Sequence, residues 1–225
     1  MLDCKLDFST LSLTADDLFA EMGYGNTAPE EPVEALAVSM LEEVSSWIVP
    51  RCFFSLFEGT VDAGVVSLAC SQTIPVGDTI ASLLKGSRRF ALFAATAGTV
   101  FQEYQDRLKE EGDILKCFIA DIIGTCVAEK AGDYMERLLE EELKGERHTN
   151  RLSPGYCGWH LTGQKALFRL MGGNPCGISL SDVYLMTPIK SISGIIGIGP
   201  EVDVKKYGCQ YCELETCYKR KRKKN

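Results

Sequence analysis

The chain has 225 residues, of which 45% are hydrophobic and 24% charged, a composition that is ordinary for a soluble globular protein with one sizeable core. Its longest apolar stretch, 117–128, is far shorter than the roughly 20 residues of a membrane span, which argues against a membrane protein. The net charge is -7, and the six Lys and Arg residues of 219–224 leave 18 basic against 31 acidic residues elsewhere, so nucleic acid is excluded as the main partner.

Hydrophobic periodicity and turn signals predict helices and strands along most of the chain. Helices are indicated where apolar residues recur at three- and four-residue spacing, and strands where β-branched and aromatic residues cluster. The predicted helices are 15–21 behind the capping residue Thr14, one that starts at Pro29 and ends before Pro50, 79–84, 99–109, 113–144 and 162–171. The predicted strands are 6–13, 51–57, 64–69, 89–96, 183–187 and 191–198, with Glu58-Gly59 as a turn between paired strands and 71–77 as a loop.

The segment 113–144 is the longest predicted helix, and its apolar face is wide enough that the helix must be largely buried. Gly124 lies in the middle of it, where a glycine costs about 1 kcal/mol relative to alanine. We therefore expect another element to pack closely against the helix at this position.

The start of the chain carries no secretory signal, because residues 1–7 place acids where the apolar part of a signal should lie. Ten cysteines in a secreted protein indicate disulfides, but without a signal they are expected as reduced thiols, some of them metal-binding. The expected location is therefore the cytoplasm.

The stretch 151–160 reads Arg-Leu-Ser-Pro-Gly-Tyr-Cys-Gly-Trp-His and combines a turn signal with groups that suit a small ligand. Pro154 presets the second position of a type II turn, and Gly155 supplies the positive φ of the third. Arg151 can hold a carboxylate with two hydrogen bonds, and an aromatic ring can cover a flat heterocycle. An ordinary surface turn before a helix explains the same residues equally well from local chemistry alone.

A wider pattern links this stretch to a known family. Arg-x-x-Pro-Gly-Tyr, then a His, an amphipathic helix and the block 182–194, resembles the activation domain of cobalamin-dependent methionine synthase. Asp182 stands where that family usually has Ser, and the residues of the block that match are Met186, Pro188, Ser191, Ser193 and Gly194.

The resemblance is close over about residues 151–200, looser upstream, and nearly absent from the first 50 and last 20 residues. The family also has a Tyr near the ligand a few residues after Ser-x-Ser-Gly. This chain has Ile195, Ile196 and Gly197 there, so weaker ligand affinity or an altered ligand is expected.

The resemblance implies a single α+β domain in which helices pack on a curved, mostly antiparallel sheet. This domain is expected over residues 1–205, with a divergent N-terminal part over 1–50. Residues 206–225 are expected to form a tail that is first Cys-rich and then basic.

In the family the Arg-x-x-x-Gly-Tyr motif binds S-adenosylmethionine, which implies a binding site here. Arg151 would hold the methionyl carboxylate, and Ser153 and Gly155 would contribute mainly backbone groups. Tyr156 would form a wall of the site. His160 matches the family's His although two fewer residues separate it from the Tyr, and it is equally suited to cap the next helix.

The ligand's α-ammonium group also needs a carboxylate. Glu129 and Asp133 lie four residues apart on one face of the predicted long helix, and both are candidates. The family uses a Glu on the corresponding helix that aligns best with Glu129. Glu129 is therefore the expected partner of the ammonium group.

A second, separate signal is the spacing of Cys209, Cys212 and Cys217. Three thiols can bind zinc or an iron–sulfur cluster only if a fourth ligand is added, and Cys157 or Cys176 could supply it. Free thiols in a flexible tail are the alternative.

The resemblance implies a free-standing, S-adenosylmethionine-binding chain that supports reductive remethylation of cob(II)alamin on a separate corrinoid-carrying methionine synthase or methyltransferase. Such a chain belongs to a methyltransferase system, is not active alone, and depends on an electron donor such as flavodoxin or ferredoxin. Two alternatives stay open: an iron–sulfur or metal-binding electron-transfer accessory protein, and a non-catalytic docking subunit.

Overall fold

The computed structural model describes residues 1–25, 27 and 29–203. Helices and an antiparallel, curved sheet make up these residues, which confirms the expected α+β class. The described helices are α1 (Ala15–Met22), α2 (Glu31–Ser45), α3 (Asp78–Leu83), α4 (Thr99–Glu111), α5 (Ile114–Leu143) and α6 (Gly163–Leu170). The described strands are β1 (Leu2–Lys5), β2 (Arg51–Asp62), β3 (Val65–Leu68), β4 (Thr73–Pro75), β5 (Arg89–Thr96), β6 (Ser179–Leu180), β7 (Met186–Thr187) and β8 (Ser191–Ile198).

The main sheet has six strands, and five of them follow the order β4-β3-β2-β5-β8. The sixth, β1, pairs antiparallel with β2, so that Cys4 lies opposite Cys52 and Lys5 opposite Arg51. β6 and β7 form a separate two-stranded sheet. Within the described residues, none of the helices combines the length and the apolar character that crossing a bilayer requires.

The chain divides into two compact units, and the first contains Met1–Phe54, Ala94–Glu142 and Met171–Ile192. Its longest element is α5, which buries Ile119 and Ile123 completely. A Cβ atom at Gly124 would collide with the ring of Phe101 and with the aliphatic stem of Lys190. The close packing expected at this glycine is therefore confirmed.

The second unit contains Ser55–Phe93, Leu143–Leu170 and, in its described part, 193–203. Apolar side chains of β5 and β8 form much of its core, and α6 packs against β4. The core residues of these two strands in this unit are Phe90, Ala91, Leu92, Phe93, Ile195, Ile196 and Ile198. The prediction of strands over 89–96 and 191–198 is confirmed residue for residue.

Helix α1 begins where its capping signal predicts. The Thr14 N–H donates to Oδ2 of Asp17 at 2.9 Å, and the Asp17 N–H donates to Oγ1 of Thr14 at 3.4 Å. This reciprocal capping box satisfies two backbone donors that the first turn of a helix leaves without partners. Gly23 ends the helix with a φ of 111°, a left-handed conformation that suits glycine.

The strand predicted over 6–13 is wrong. The first strand is β1, Leu2–Lys5, and Phe8–Leu11 form a short 3-10 helix. Asp7 causes this change of structure, because its Oδ1 accepts hydrogen bonds from N and Oγ of Ser9 at 2.9 and 2.6 Å. Such local side-chain bonds compete with strand pairing.

The turn predicted at Glu58-Gly59 is also wrong, since β2 continues to Asp62 and the β2–β3 hairpin turns at Ala63 and Gly64. Gly59 serves strand pairing instead, because a Cβ atom there would lie 2.5 Å from the Ser67 carbonyl oxygen. The predicted loop over 71–77 contains a strand, β4, which pairs with β3.

The strand predicted over 183–187 is limited to Met186 and Thr187. A turn occupies the preceding residues: the Tyr184 N–H donates to the Ser181 carbonyl oxygen at 2.9 Å, and the Leu185 N–H donates to Ser181 Oγ at 3.1 Å. These bonds use the backbone groups that a longer strand would need for pairing.

Candidate functional site

The residues before the predicted ligand loop run along β8 in the second unit. Leu152 and Ile195 exchange two backbone hydrogen bonds, of 3.0 and 2.8 Å. The Thr149 N–H donates to the Gly197 carbonyl oxygen at 2.8 Å, and the Gly199 N–H donates to the Arg147 carbonyl oxygen at 3.0 Å. The stretch that carries Arg151 is therefore fixed to β8 by antiparallel pairing.

Gly194, the last residue of the Ser-x-Ser-Gly block, permits this close approach. A Cβ atom at Gly194 would collide with the carbonyl oxygen of Leu152, the residue next to Arg151. It would also lie 2.9 Å from Cε1 of the Phe93 ring. The two motifs that carry the sequence resemblance thus meet through backbone contact, which requires a glycine at this point.

The loop after Arg151 closes on itself. The Gly155 N–H donates to the Trp159 carbonyl oxygen at 2.7 Å, and the Trp159 N–H donates to the Tyr156 carbonyl oxygen at 2.9 Å. Gly155 has a φ of 92°, which confirms the left-handed residue expected in the turn. Gly158 has a φ of 76°, and no heavy atom lies within 4 Å of the Cβ position that it lacks, so the loop leaves open space there.

The loop separates its aromatic side chains. Trp159 is only 2% exposed, and its indole edge lies against Gly163, where any Cβ atom would collide with it. Tyr156 is 58% exposed. Trp159 therefore packs in the core beneath the surface of the loop, whereas the ring of Tyr156 is exposed to solvent.

His160 is exposed and lies three residues before α6. Its Nδ1 accepts from the Thr162 backbone N–H at 3.3 Å and lies 2.9 Å from Thr162 Oγ1, and its carbonyl oxygen accepts from the Gly163 N–H at 2.9 Å. These bonds form a local turn that leads into α6, and the role of His160 toward a ligand stays a prediction.

The remaining residues predicted for the loop are partly covered. Arg151 and Ser153 are half-buried, Pro154 between Ser153 and Gly155 is buried, and Gly155 is exposed. This burial pattern anchors the backbone of the turn and leaves its tip accessible.

Gln164 and Thr149, which the sequence did not single out, support the loop. Ser193 and Gln164 are both buried, and Ser193 Oγ donates to Gln164 Oε1 at 2.7 Å, which joins β8 to α6. Thr149 accepts the Gly197 N–H on its Oγ1 at 2.9 Å, which adds a side-chain bond to the backbone pairing.

The positions where the family has its additional Tyr belong to the core. Ile195 and Ile196 are fully buried, and a Cβ atom at Gly197 would collide with Ser87 Oγ. No large ring fits at Gly197 without displacement of its neighbours. The departure from the family pattern is thus accommodated by packing inside the second unit.

Glu129 and Asp133 belong to the first unit and are exposed on α5. Their neighbour Lys130 forms an ion pair with Asp17 at 3.1 Å. The role of Glu129 toward an ammonium group stays a prediction from the resemblance.

The cysteines predicted to bind a metal, Cys209, Cys212 and Cys217, lie outside the described residues. Of the two suggested fourth ligands, Cys157 and Cys176 are both buried, and burial raises the pKa of the Cys176 thiol to about 12. Among residues 1–203 as described, no group of three or more His, Cys, Asp or Glu is placed to hold a metal ion.

Comparisons with known proteins agree with this architecture. A solved structure, described as the crystal structure of the MetH reactivation domain bound to AdoHcy, superimposes with a TM-score of 0.69. The match covers 92% of this chain and 80% of that chain at 17% sequence identity, so it shows a shared fold. No curated protein sequence is significantly similar to this chain.

A sequence model of a protein family provides the second comparison. The model describes the activation domain of vitamin B12 dependent methionine synthase, and it matches residues 69–225, which is more than half of the chain. The matched region contains both the Arg151 loop and the Ser-x-Ser-Gly block. The chain therefore belongs to the family of vitamin B12 dependent methionine synthase activation domains.

Proposed function

We propose that this chain binds S-adenosylmethionine at the 151–160 loop and supports reductive remethylation of cob(II)alamin on a separate corrinoid-carrying methionine synthase or methyltransferase. Family membership and the shared fold with a domain that has AdoHcy bound both support this proposal. The observation that carries it is the pairing of Leu152 with Ile195, because this pairing joins the two family motifs around one loop.

The side chains of the loop suit the two ends of the proposed ligand. The guanidinium of Arg151 is a planar, permanently charged donor that matches the geometry of a carboxylate. The exposed Tyr156 ring offers a face against which the adenine can stack. The exposed Gly155 and the open space at Gly158 allow the ligand to approach the backbone without a side chain in the way.

The contribution of the chain to the reaction is positional. S-adenosylmethionine would supply its sulfonium methyl group, with cleavage of the S–CH3 bond and release of S-adenosylhomocysteine, to a partner cobalamin reduced by one electron from an external donor such as flavodoxin or ferredoxin. The loop holds carboxylate and adenine at fixed points and so limits the directions in which the sulfonium methyl can face, which lowers the entropic cost of transfer. This chain need not exchange a proton in that step.

The test is methyl transfer under anaerobic conditions. The full chain is mixed with a cob(II)alamin-loaded methionine synthase that lacks its own activation domain, with methyl-labelled S-adenosylmethionine and a low-potential reductant. We expect labelled methylcobalamin that depends on this chain. The proposal is wrong if label reaches cobalt at the same rate without the chain.

The identity of the partner needs its own experiment. The chain is used as bait in an anaerobic, reduced extract of its own cells, and the corrinoid content of the captured protein is measured. We expect a corrinoid protein to be retained, and retention to be weaker for the Arg151→Ala variant if the ligand organises the docking face.

A further inference from the structure

Cys4 and Cys52 form a thiol pair in the first unit, apart from the 151–160 loop. They are directly opposite residues of the antiparallel strands β1 and β2. Their Sγ atoms lie 3.3 Å apart, within the distance of a weak S–H···S hydrogen bond. Directly opposite residues of antiparallel strands have Cα atoms about 4.5–5.5 Å apart, which lies inside the range that a disulfide spans.

The register that brings the two thiols together is fixed by neighbouring contacts. The Arg51 guanidinium donates to Asp3 Oδ1 at 2.7 Å, so an ion pair joins the same two strands one residue away from the thiol pair. The Leu6 N–H continues the connection by donating to the Pro50 carbonyl oxygen at 2.8 Å. Little movement of the backbone is therefore needed to join the two sulfur atoms.

The two thiols differ in access to solvent. Cys52 is fully buried, whereas Cys4 is only partly covered. Burial raises the pKa of the Cys52 thiol, and the hydrogen bond with Cys4 and the nearby Cys176 and Asp3 raise it further. Cys52 is thus a protonated thiol that external reagents cannot reach first, and Cys4 is the point of entry.

We propose that Cys4 and Cys52 are a thiol–disulfide exchange site, which small-molecule disulfides convert into a cross-strand disulfide between β1 and β2. This inference is independent of the proposed function, because it uses no residue of the loop and requires no ligand. It assigns the pair a covalent chemistry that neither the family match nor the structural neighbour describes.

The exchange has two balanced steps. The Cys4 thiolate attacks one sulfur of the small disulfide, forms a mixed disulfide and expels the first small thiolate. Cys52 then loses its proton to solvent or to the departing thiolate, and its sulfur attacks Sγ of Cys4 and expels the second small thiolate. Two protein thiols are oxidised to one disulfide, and the small disulfide is reduced by the same two electrons.

The order of the steps follows from burial. Attack must begin at Cys4, because only this sulfur is accessible, and the mixed disulfide is short-lived because the second thiol is already in contact. Among the residues that the structure describes, the exposed Cys70 contacts no second thiol, so its reaction is expected to stop at the mixed disulfide. Cys70 is therefore a matched internal control within the same chain.

The test is mild oxidation of the folded full-length chain with oxidised glutathione, followed by quenching at low pH and peptide mapping by mass spectrometry. We expect one linked peptide pair that contains Cys4 and Cys52, with a mass lower by two hydrogens, and a glutathione adduct at Cys70. The Cys52→Ser variant is expected to accumulate glutathione on Cys4, and the Cys4→Ser variant is expected to leave Cys52 unmodified.

Circular dichroism before oxidation confirms that each variant is folded, and peptide mapping separates this linkage from any that involves Cys209, Cys212 or Cys217. The proposal is overturned if glutathione accumulates on Cys4 of the unaltered chain. It is equally overturned if both thiols stay reduced while Cys70 is modified.

Discussion

In the proposed site, ligand recognition would depend on two side chains with different chemistry. Arg151 would provide charge and direction, and Tyr156, whose ring is exposed, would provide an aromatic face. Their backbones are held in place by separate contacts, Arg151 by the pairing of Leu152 with β8 and Tyr156 by the closed turn to Trp159. Substitution at either residue can therefore be expected to change ligand binding without loss of the fold.

We predict that Tyr156→Ala weakens S-adenosylmethionine binding by about 5- to 150-fold, because base–aromatic stacking contributes roughly 1–3 kcal/mol. Tyr156→Phe keeps the ring and should bind as the unaltered chain does. The measurement is equilibrium binding, with Tyr24→Ala as a control at another exposed tyrosine. Equal loss in both alanine variants would argue against a specific role for Tyr156.

Gly194→Ala is predicted to destabilise the second unit. The added Cβ atom would overlap the Leu152 carbonyl oxygen, which is backbone and cannot move aside as a flexible side chain could. Overpacking of this kind costs about 1–3 kcal/mol of unfolding free energy. Equilibrium unfolding in urea measures the change, and a variant as stable as the parent would show that the approach of β8 to the loop is looser than described.

At the scale of elements, the Ser193–Gln164 hydrogen bond connects β8 with α6, the helix that begins next to the ligand loop. We predict that Ser193→Ala and Gln164→Leu each lower the free energy of unfolding by about 1–3 kcal/mol, because each leaves a buried polar group without its partner. The double variant removes both groups, and its loss of unfolding free energy should be smaller than the sum of the losses in the two single variants. Strict additivity in urea unfolding would mean that the bond contributes nothing.

The capping box of α1 predicts a pH-dependent contribution to stability. Burial alone would raise the pKa of Asp17. Hydrogen bonds from Thr14 and the ion pair with Lys130 outweigh this effect and hold the pKa below its ordinary value of 3.8. A carboxyl group whose pKa is lower in the folded than in the unfolded state stabilises the protein at pH values above its unfolded-state pKa. This stabilisation is lost as the pH falls through the folded-state pKa. Asp17→Asn should therefore destabilise the chain near neutral pH, with a difference that shrinks below about pH 4.

The control for this prediction is Asp16→Asn, because Asp16 is exposed in the same helical turn and carries the same charge. It should change stability much less at neutral pH. A difference for Asp17→Asn that stays constant between pH 7 and pH 3 in thermal unfolding would contradict the capping role.

The elements that sequence reasoning predicted best are those with local signals. Thr14 and Asp17 indicate the start of helix α1, and a run of apolar residues between turns indicates β5. The missed strand β4 has only three residues and ends at Pro75, so its pairing with β3 carries no local signal. The hairpin turn was predicted at the wrong place because Gly59 resembles a turn residue. In the structure, Gly59 lies within β2 and allows close approach to the neighbouring strand.

At the scale of the whole molecule, the sequence located the loop but not what supports it. The motif around Arg151 is contiguous, so a resemblance could identify it. The contacts of Leu152 with Gly194 and of Gln164 with Ser193 join residues distant in sequence, and no periodicity encodes them. For the same reason, Trp159 could not be distinguished from a ligand-facing ring until its burial was known.

Family membership and the geometry of the loop both support the central proposal, which is that residues 151–160 bind S-adenosylmethionine. Arg151 is the decisive residue, since hydrogen bonds to charged groups contribute about 1.5–3 kcal/mol, or roughly 10- to 150-fold in affinity. Arg169 is an exposed arginine at the end of α6 in the same unit and provides a matched control.

The most direct test is equilibrium dialysis of the full-length chain against labelled S-adenosylmethionine, with the Arg151→Ala and Arg169→Ala variants in parallel. We predict saturable binding to one site per chain, weakened by at least about tenfold in Arg151→Ala and unchanged in Arg169→Ala. No saturable binding to the folded chain, or equal binding by both variants, would contradict this prediction.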